Sequence, residues 1–106
     1  MDSEEYIEFL RSVLIKIENA LKFVEQNPAK HIPAYNKILG VQQKLAGLDV
    51  KYKEMLFPDI IITRSIIHSF MNGRYEEAHK HILKLKGNLI QIGVGIKNEK
   101  DSVKKT

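Results

Sequence analysis

The sequence predicts an all-α protein, an antiparallel bundle of four or five helices that forms one domain over residues 1–97. Three observations lead to this prediction. Apolar side chains recur every three or four positions through most of the chain, the period that gathers them on one face of an α-helix. Proline and glycine fall between the periodic segments, where helices end. The β-branched run over residues 60–62 continues with helical period and has no partner strand elsewhere.

The first 27 residues are predicted to form one amphipathic helix. Asp2, with Glu5 three positions later, has the form of an N-terminal capping box, although Ser3 is an alternative cap. Asn27 and Pro28 end the segment, because proline cannot continue a helix. The apolar positions with helical spacing are Ile7, Leu10, Val13, Leu14, Ile17, Leu21 and Val24.

The second helix is predicted to begin at Pro33, where the missing N–H group costs nothing, and to reach Gly47, a residue that often caps a helix C-terminus. Its apolar positions are Tyr35, Ile38, Leu39, Val41 and Leu45. Residues 48–57 fit either a short helical turn or an ordered loop. We predict a loop that packs against the domain.

Two further helices are predicted to form a tight hairpin. Pro58 and Asp59 begin the first of them, Asn72 and Gly73 end it, and the second runs from residue 75 to residue 86. The apolar positions of the first are Ile60, Ile61, Ile62, Ile66, Ile67, Phe70 and Met71, and those of the second are Ala78, Ile82 and Leu85.

The apolar segment over residues 89–96 is predicted to form a separate last helix, since Gly87, Gly93 and Gly95 interrupt it. Each glycine costs about 1 kcal/mol in a helix interior. These glycines either let another backbone approach closely or loosen the end of the domain. Residues 98–106 lack an apolar face, and we expect a flexible polar tail there.

We expect the helices to share one core, in which Leu14→Ala or Phe70→Ala costs about 2–5 kcal/mol of stability. A buried polar pocket with converging ionisable groups would instead indicate an active site. The predicted core consists of Leu10, Leu14, Ile17, Leu21, Ile38, Leu45, Ile66, Phe70, Ala78 and Ile82.

Composition favours a folded protein of the cytoplasm. Apolar residues make up 43% of the chain and charged residues 28%, and there is no cysteine for disulfides or thiolate chemistry. No apolar run approaches the roughly 20 residues of a membrane-spanning helix, and the acidic start does not have the form of an export signal. We therefore expect neither export nor a membrane span.

The net charge of +4 is unevenly distributed. Residues 1–27 carry six acidic and three basic side chains, whereas residues 74–106 carry four acidic and eight basic ones. A basic C-terminal part can attract nucleic acid or an acidic protein surface, although a lysine-rich end is more often a solvated tail.

No motif in the sequence predicts an enzyme, a metal site or a cofactor site. The chain lacks a phosphate-binding loop, a nucleophile elbow and a dinucleotide fingerprint. Glu76 and His79 form one E-x-x-H step of the kind that di-iron bundles use, but a second copy and further inward carboxylates are missing. His79 and His81 point about 200° apart on a helix and cannot chelate one ion together.

Two other histidine motifs resemble functional signatures. Arg64 and His68 are spaced one residue too closely for the R-x(4-6)-H signature of HEPN ribonucleases. The stretch from His81 to Lys84 resembles the H-x-L-K motif of histidine phosphotransfer domains, which are four-helix bundles. Leu85 follows at the position where that family needs glycine. The match from His81 to Lys84 makes a phosphotransfer protein an alternative function.

A second alternative is an RNA-binding regulatory helical domain, although the chain has three arginines in all and its lysines are scattered. The main prediction is a non-enzymatic protein-interaction module with a protein partner. The residues predicted to contact the partner, on the basic hairpin and tail, are Arg74, Lys80, Lys84, Lys86 and Lys97.

Residues 35–97 resemble the helical domain shared by the steroid receptor RNA activator protein family and the C-terminus of the larger outer-coat COPII subunit. The resemblance rests on Leu56-Phe57-Pro58 before an Ile-rich helix, on Gly73-Arg74-Tyr75-Glu76-Glu77-Ala78 as the family's G-x-Y-x-x-A turn, and on Ile92-Gly93-Val94-Gly95-Ile96-Lys97 as its closing W-M-V-G-V-K. Ile92 replaces the family's tryptophan, and the closing motif lies about one helical turn closer to Ala78.

This resemblance implies a non-enzymatic helical bundle that serves protein association, in coat assembly or as a regulatory adaptor. The acidic first helix would then be an addition to the family's domain or the opening helix of the bundle.

Overall fold

The computed structural model describes residues 2–26 and 31–104, and every regular element in these ranges is an α-helix. The all-α prediction is therefore confirmed. The five helices are α1 (Ser3–Gln26), α2 (His31–Ala46), α3 (Val50–Met55), α4 (Phe57–Met71) and α5 (Tyr75–Lys104). Among these residues, no helix is both long enough and apolar enough to cross a membrane.

The four long helices pack in a ring, in which α1 lies against α2 and α5, and α4 completes the ring between α2 and α5. Neighbouring helices are antiparallel, as predicted. Lys44 near the end of α2 donates a hydrogen bond to Ser12 in the first half of α1. Tyr35 at the start of α2 packs edge-on against Phe70 at the end of α4. The short helix α3 joins α2 to α4.

The core is one apolar cluster that runs through all four long helices. Nine of the ten predicted core residues are buried, but Leu14 is only half-buried and packs against the edge of the cluster. Leu14 borders a groove between α1 and α5, so its outer side has no helix to cover it. The cluster also contains Tyr6, Leu56 and Leu89, which were not in the predicted set.

Two predicted helix ends have the expected hydrogen bonds. The Glu5 N–H donates to Asp2 Oδ1 at 2.8 Å, so Asp2 caps α1. After α4, the Arg74 N–H donates to the Ser69 carbonyl at 2.8 Å, with Gly73 at φ +70° between them. This is a Schellman motif, in which the left-handed backbone favours glycine.

The start of α2 differs slightly from the prediction. The helix begins at His31, so Pro33 is its third residue, still within the first turn where N–H groups lack helical partners. At the other end, Gly47 follows Ala46 without a positive φ. The predicted stop over Asn27 and Pro28 lies outside the described residues, and α1 ends at Gln26.

The loop predicted over residues 48–57 is wrong for residues 50–55, which form α3. Leu48 and Leu56 are buried on either side of it, while α3 itself contains no buried residue. The Lys53 N–H donates to the Asp49 carbonyl, and the Leu56 N–H donates to the Tyr52 carbonyl. Because Leu48 and Leu56 are buried at its two ends, this segment stays against the bundle, and its backbone N–H and C=O groups form hydrogen bonds within helical turns.

The predicted break near Gly87 is also wrong, because α5 is one continuous helix of 30 residues. Its core face, which includes Ala78, Ile82, Leu85 and Leu89, packs against both α1 and α4. Burial of that face outweighs a cost of about 1 kcal/mol per glycine. The backbone stays helical to Lys104, beyond the predicted domain end at residue 97, and the flexibility of the tail remains a prediction.

Candidate interaction surface between α1 and α5

The outer side of the seam between α1 and α5 is bridged by two polar side-chain pairs in one half and is mainly apolar in the other. The register of the two antiparallel helices is shown by three pairs: Glu25 with His79 at 3.4 Å, Glu18 with Lys86 at 3.7 Å, and Leu10 with Gly93. Both polar pairs lie in the part of the seam near the end of α1, beside a small concavity that Glu25 and His79 line. Towards the start of α1, the seam opens into a groove.

This groove is mainly apolar and has a volume of about 200 Å³. Its lining consists of Ile7, Leu10, Arg11, Leu14, Leu89, Ile90, Gly93, Val94 and Lys97. A Cβ atom added to Gly93 would meet Leu10 Cδ1 at 4.0 Å, an ordinary van der Waals distance. The groove therefore exists partly because Gly93 has no side chain to fill it.

Exposed apolar side chains continue from the groove onto the outer face of both helices. On α5, Leu83, Ile90 and Val94 follow one another at seven and four positions, which places them on one helical stripe. Val94 is 52% exposed, and Ile15 on the neighbouring outer face of α1 is 56% exposed. Contiguous exposed apolar side chains commonly mark interaction sites. We call these four residues, together with the groove, the α1/α5 face.

The five residues predicted to contact a partner do not form one patch. Positions 84 and 86 differ by about 200° around a helix, so Lys84 lies on a different side of α5 from Lys86. Lys86 pairs with Glu18 across the seam, and Lys97 lines the groove. The exposed side of α5 away from the seam carries Lys80, Lys84 and, just before the helix, Arg74.

A second concavity lies at the start of α5, and its lining mixes charges of both signs. Arg74 and Glu77 pair there at 3.7 Å, and Lys80 and the half-buried His81 complete its outer part. Leu85, the residue that departs from the phosphotransfer motif, is fully buried in the core. Histidine phosphotransfer remains an alternative function for this chain.

The other candidate histidines take part in local contacts. His79 faces Glu25 across the seam, and the His68 ring contacts Asn72 Nδ2 at 3.1 Å. Arg64 is exposed one turn before His68. Over the described part of the chain, His, Asp and Glu side chains form no group of three that could hold a metal ion.

A buried polar cluster lies beneath α3, and the sequence did not predict it. Asp59 is 3% exposed and accepts a hydrogen bond from Asn88 Nδ2 at 3.3 Å. The buried hydroxyl of Tyr6 has no hydrogen-bond partner in the described structure. The Tyr6 ring packs against Tyr52 of α3 at a centroid distance of 4.5 Å.

Burial shifts the pKa values of both ionisable groups in this cluster. Loss of hydration raises the pKa of Asp59, and the hydrogen bond from Asn88 opposes that rise. Burial, with smaller contributions from Asp59 and Tyr52, raises the pKa of Tyr6 to about 12. An aspartate in the first turn of a helix is normally exposed, so nothing in the sequence marks Asp59 as buried.

Asp59 and Tyr6 line neither the groove between α1 and α5 nor the concavity at the start of α5. Both residues are buried within the bundle.

Comparisons with family models, with curated proteins and with solved structures found no match to this chain.

Proposed function

We propose that this chain is a non-enzymatic protein-interaction module that binds its partner through the α1/α5 face. The observation that carries the proposal is the exposure of Ile15, Ile90 and Val94 beside an apolar groove, in a seam whose other half is bridged by polar side-chain pairs. Fully burying a Val, Leu or Ile side chain contributes about 1.5–3 kcal/mol. A few such residues suffice to anchor an interface.

An adaptor or coat-assembly role rests on the resemblance over residues 35–97. Two local features support it. Gly73 has the left-handed backbone that a tight turn between helices requires, and Ala78 is fully buried where α5 begins to pack. Cytoplasmic location belongs to the same proposal, and its support is the cysteine-free composition.

The distribution of basic residues favours a protein over RNA as the partner. Lys84 and Lys86 lie on different sides of α5, and Lys86 pairs with Glu18. A nucleic-acid surface would gather such residues on one face. Binding to generic RNA would fall steeply with salt, because each phosphate contact releases counterions. We expect weak RNA binding at most, and a steep salt slope would favour the RNA-binding alternative.

The test compares two variants in affinity capture from the native source, with quantification of every retained protein. Val94→Glu places a charge on the α1/α5 face, and Ile61→Glu is its matched control on α4, where the side chain is 46% exposed. We expect a partner that the parent and Ile61→Glu retain and that Val94→Glu loses. Identical sets of retained proteins for all three chains would contradict the proposal. Circular dichroism confirms that each variant is folded.

A further inference from the structure

We propose that the α1/α5 face binds a second copy of this chain, with the two-fold axis parallel to the seam. The inference rests on the proposed function, since it names the occupant of the same surface. In this arrangement α1 of one copy lies over α5 of the other. An interface of this kind must be self-complementary, and two-fold dimers are the commonest symmetric oligomers.

The apolar residues of the face match in register. Because Leu10 lies beside Gly93 and Glu18 beside Lys86, Ile15 is level with the part of α5 between Gly87 and Ile90. A Cβ atom added to Gly87 has no neighbour within 4 Å, so that position is open. The two-fold axis brings Ile15 of one copy onto this gap in the other.

The same register places Ile7 of one copy over the stretch from Val94 to Lys97 of the other. Ile7 and Val94 both line the groove, and Val94 is exposed in the single chain. Both copies make this contact, so the apolar groove of each copy is covered by the other copy. In the dimer, water is removed from Ile15, Ile90 and Val94, which are exposed in the single chain.

The charges of the face are also complementary in this orientation. Lys86 is level with Glu18, and Lys97 is level with the turn that contains Glu8. The axis therefore sets each of these lysines opposite an acidic residue of the second copy. With the axis perpendicular to the seam instead, each α5 would lie over the other α5, and these lysines would no longer be opposite α1 of the second copy. Opposite charges across an interface favour binding, which favours the parallel axis.

The first experiment is sedimentation equilibrium of the purified chain over a wide concentration range. We expect a reversible dimer. Val94→Glu should raise the dissociation constant at least about tenfold, since a buried unpaired charge is strongly unfavourable, whereas Ile61→Glu should leave it unchanged. A parent chain that stays monomeric at the highest concentration would overturn the second-copy proposal.

The second experiment tests the orientation of the axis. Because the chain has no cysteine, only the introduced thiols can form a disulfide. Ile15→Cys and Gly87→Cys chains are mixed under mild oxidation. We expect a disulfide-linked dimer of the mixed pair, and little product from Ile15→Cys alone or from an Ile61→Cys control. A dominant Ile15→Cys homodimer would overturn the parallel axis.

Different results would overturn the second-copy proposal and the proposed function. A monomeric chain that nevertheless retains another protein, and loses it with Val94→Glu, overturns the second copy and supports the wider function. A dimer that Val94→Glu does not weaken overturns the proposed interface. If the parent and Val94→Glu retain the same proteins in affinity capture, the α1/α5 face is neither the site for a second copy nor the site for another protein.

Discussion

At the scale of single residues, the buried pair Asp59 and Tyr6 is the least expected feature. A buried carboxylate is costly unless it is well paired, and the Asn88 amide at 3.3 Å is a modest partner. Since the pKa of Asp59 is raised in the folded chain, the native state binds the proton more tightly than the unfolded state. The resulting stability is fully present below the unfolded pKa and is lost as pH rises through the folded pKa.

Asp59→Asn should remove this pH dependence. The new amide oxygen can still accept the hydrogen bond from Asn88, and no carboxylate remains to be dehydrated. We expect the variant to gain stability relative to the parent as pH rises from 3.8, the ordinary pKa of an aspartate, towards neutrality. Denaturant unfolding at several pH values measures the difference. A parent and variant with parallel pH profiles would contradict the role assigned to Asp59.

Tyr6→Phe should be tolerated at neutral pH despite complete burial of the ring. The lost hydroxyl has no hydrogen-bond partner, and leaving such a group buried costs about 1–3 kcal/mol. The pKa of about 12 means that the parent loses stability as pH rises from 10 to 12, and the variant should lose less. Tyr35→Phe is the control, and melting curves against pH are the measurement. Strong destabilisation of Tyr6→Phe at pH 7 would show an undetected partner for the hydroxyl.

At the scale of elements, α5 shows how tertiary packing overrides local propensity. Glycines at three interior positions predicted a break, yet the helix is continuous because its apolar face is covered by α1 and α4. The segment α3 shows the same effect in a short stretch. Its helical form depends on the buried anchors Leu48 and Leu56, which are set by the surrounding bundle.

Gly87→Ala and Gly95→Ala should each stabilise the protein by about 0.5–1 kcal/mol, the usual difference in a helix interior. No atom lies within 4 Å of the added Cβ at either position. Gly73→Ala should instead destabilise it by about 1–2 kcal/mol, because φ is +70° there. Urea unfolding of the three variants measures these changes. A loss of stability at position 87 or 95 would mean that α5 is broken in solution.

At the scale of the whole molecule, the depth of burial distinguishes two residues that were both predicted to lie in the core. Phe70 is buried between Tyr35 and Tyr75, so Phe70→Ala should cost about 3–5 kcal/mol. Leu14 is half-buried at the groove, so Leu14→Ala should cost clearly less than the 2–5 kcal/mol first expected for it. Thermal unfolding compares the two variants. Equal losses would mean that the groove is closed over Leu14.

Helical periodicity was enough to determine the all-α class and most of the core, because these depend on the spacing of apolar residues, and the short connections between the periodic segments determined the antiparallel order. The distribution of basic residues placed Lys97 among the predicted partner contacts, but the sequence did not predict the groove that Lys97 lines. Only the tertiary structure decided which flank of α5 stays uncovered, that Asp59 is buried, and that α5 is unbroken. Each depends on which helices become neighbours, and residue spacing within one helix carries no information about contacts made by another.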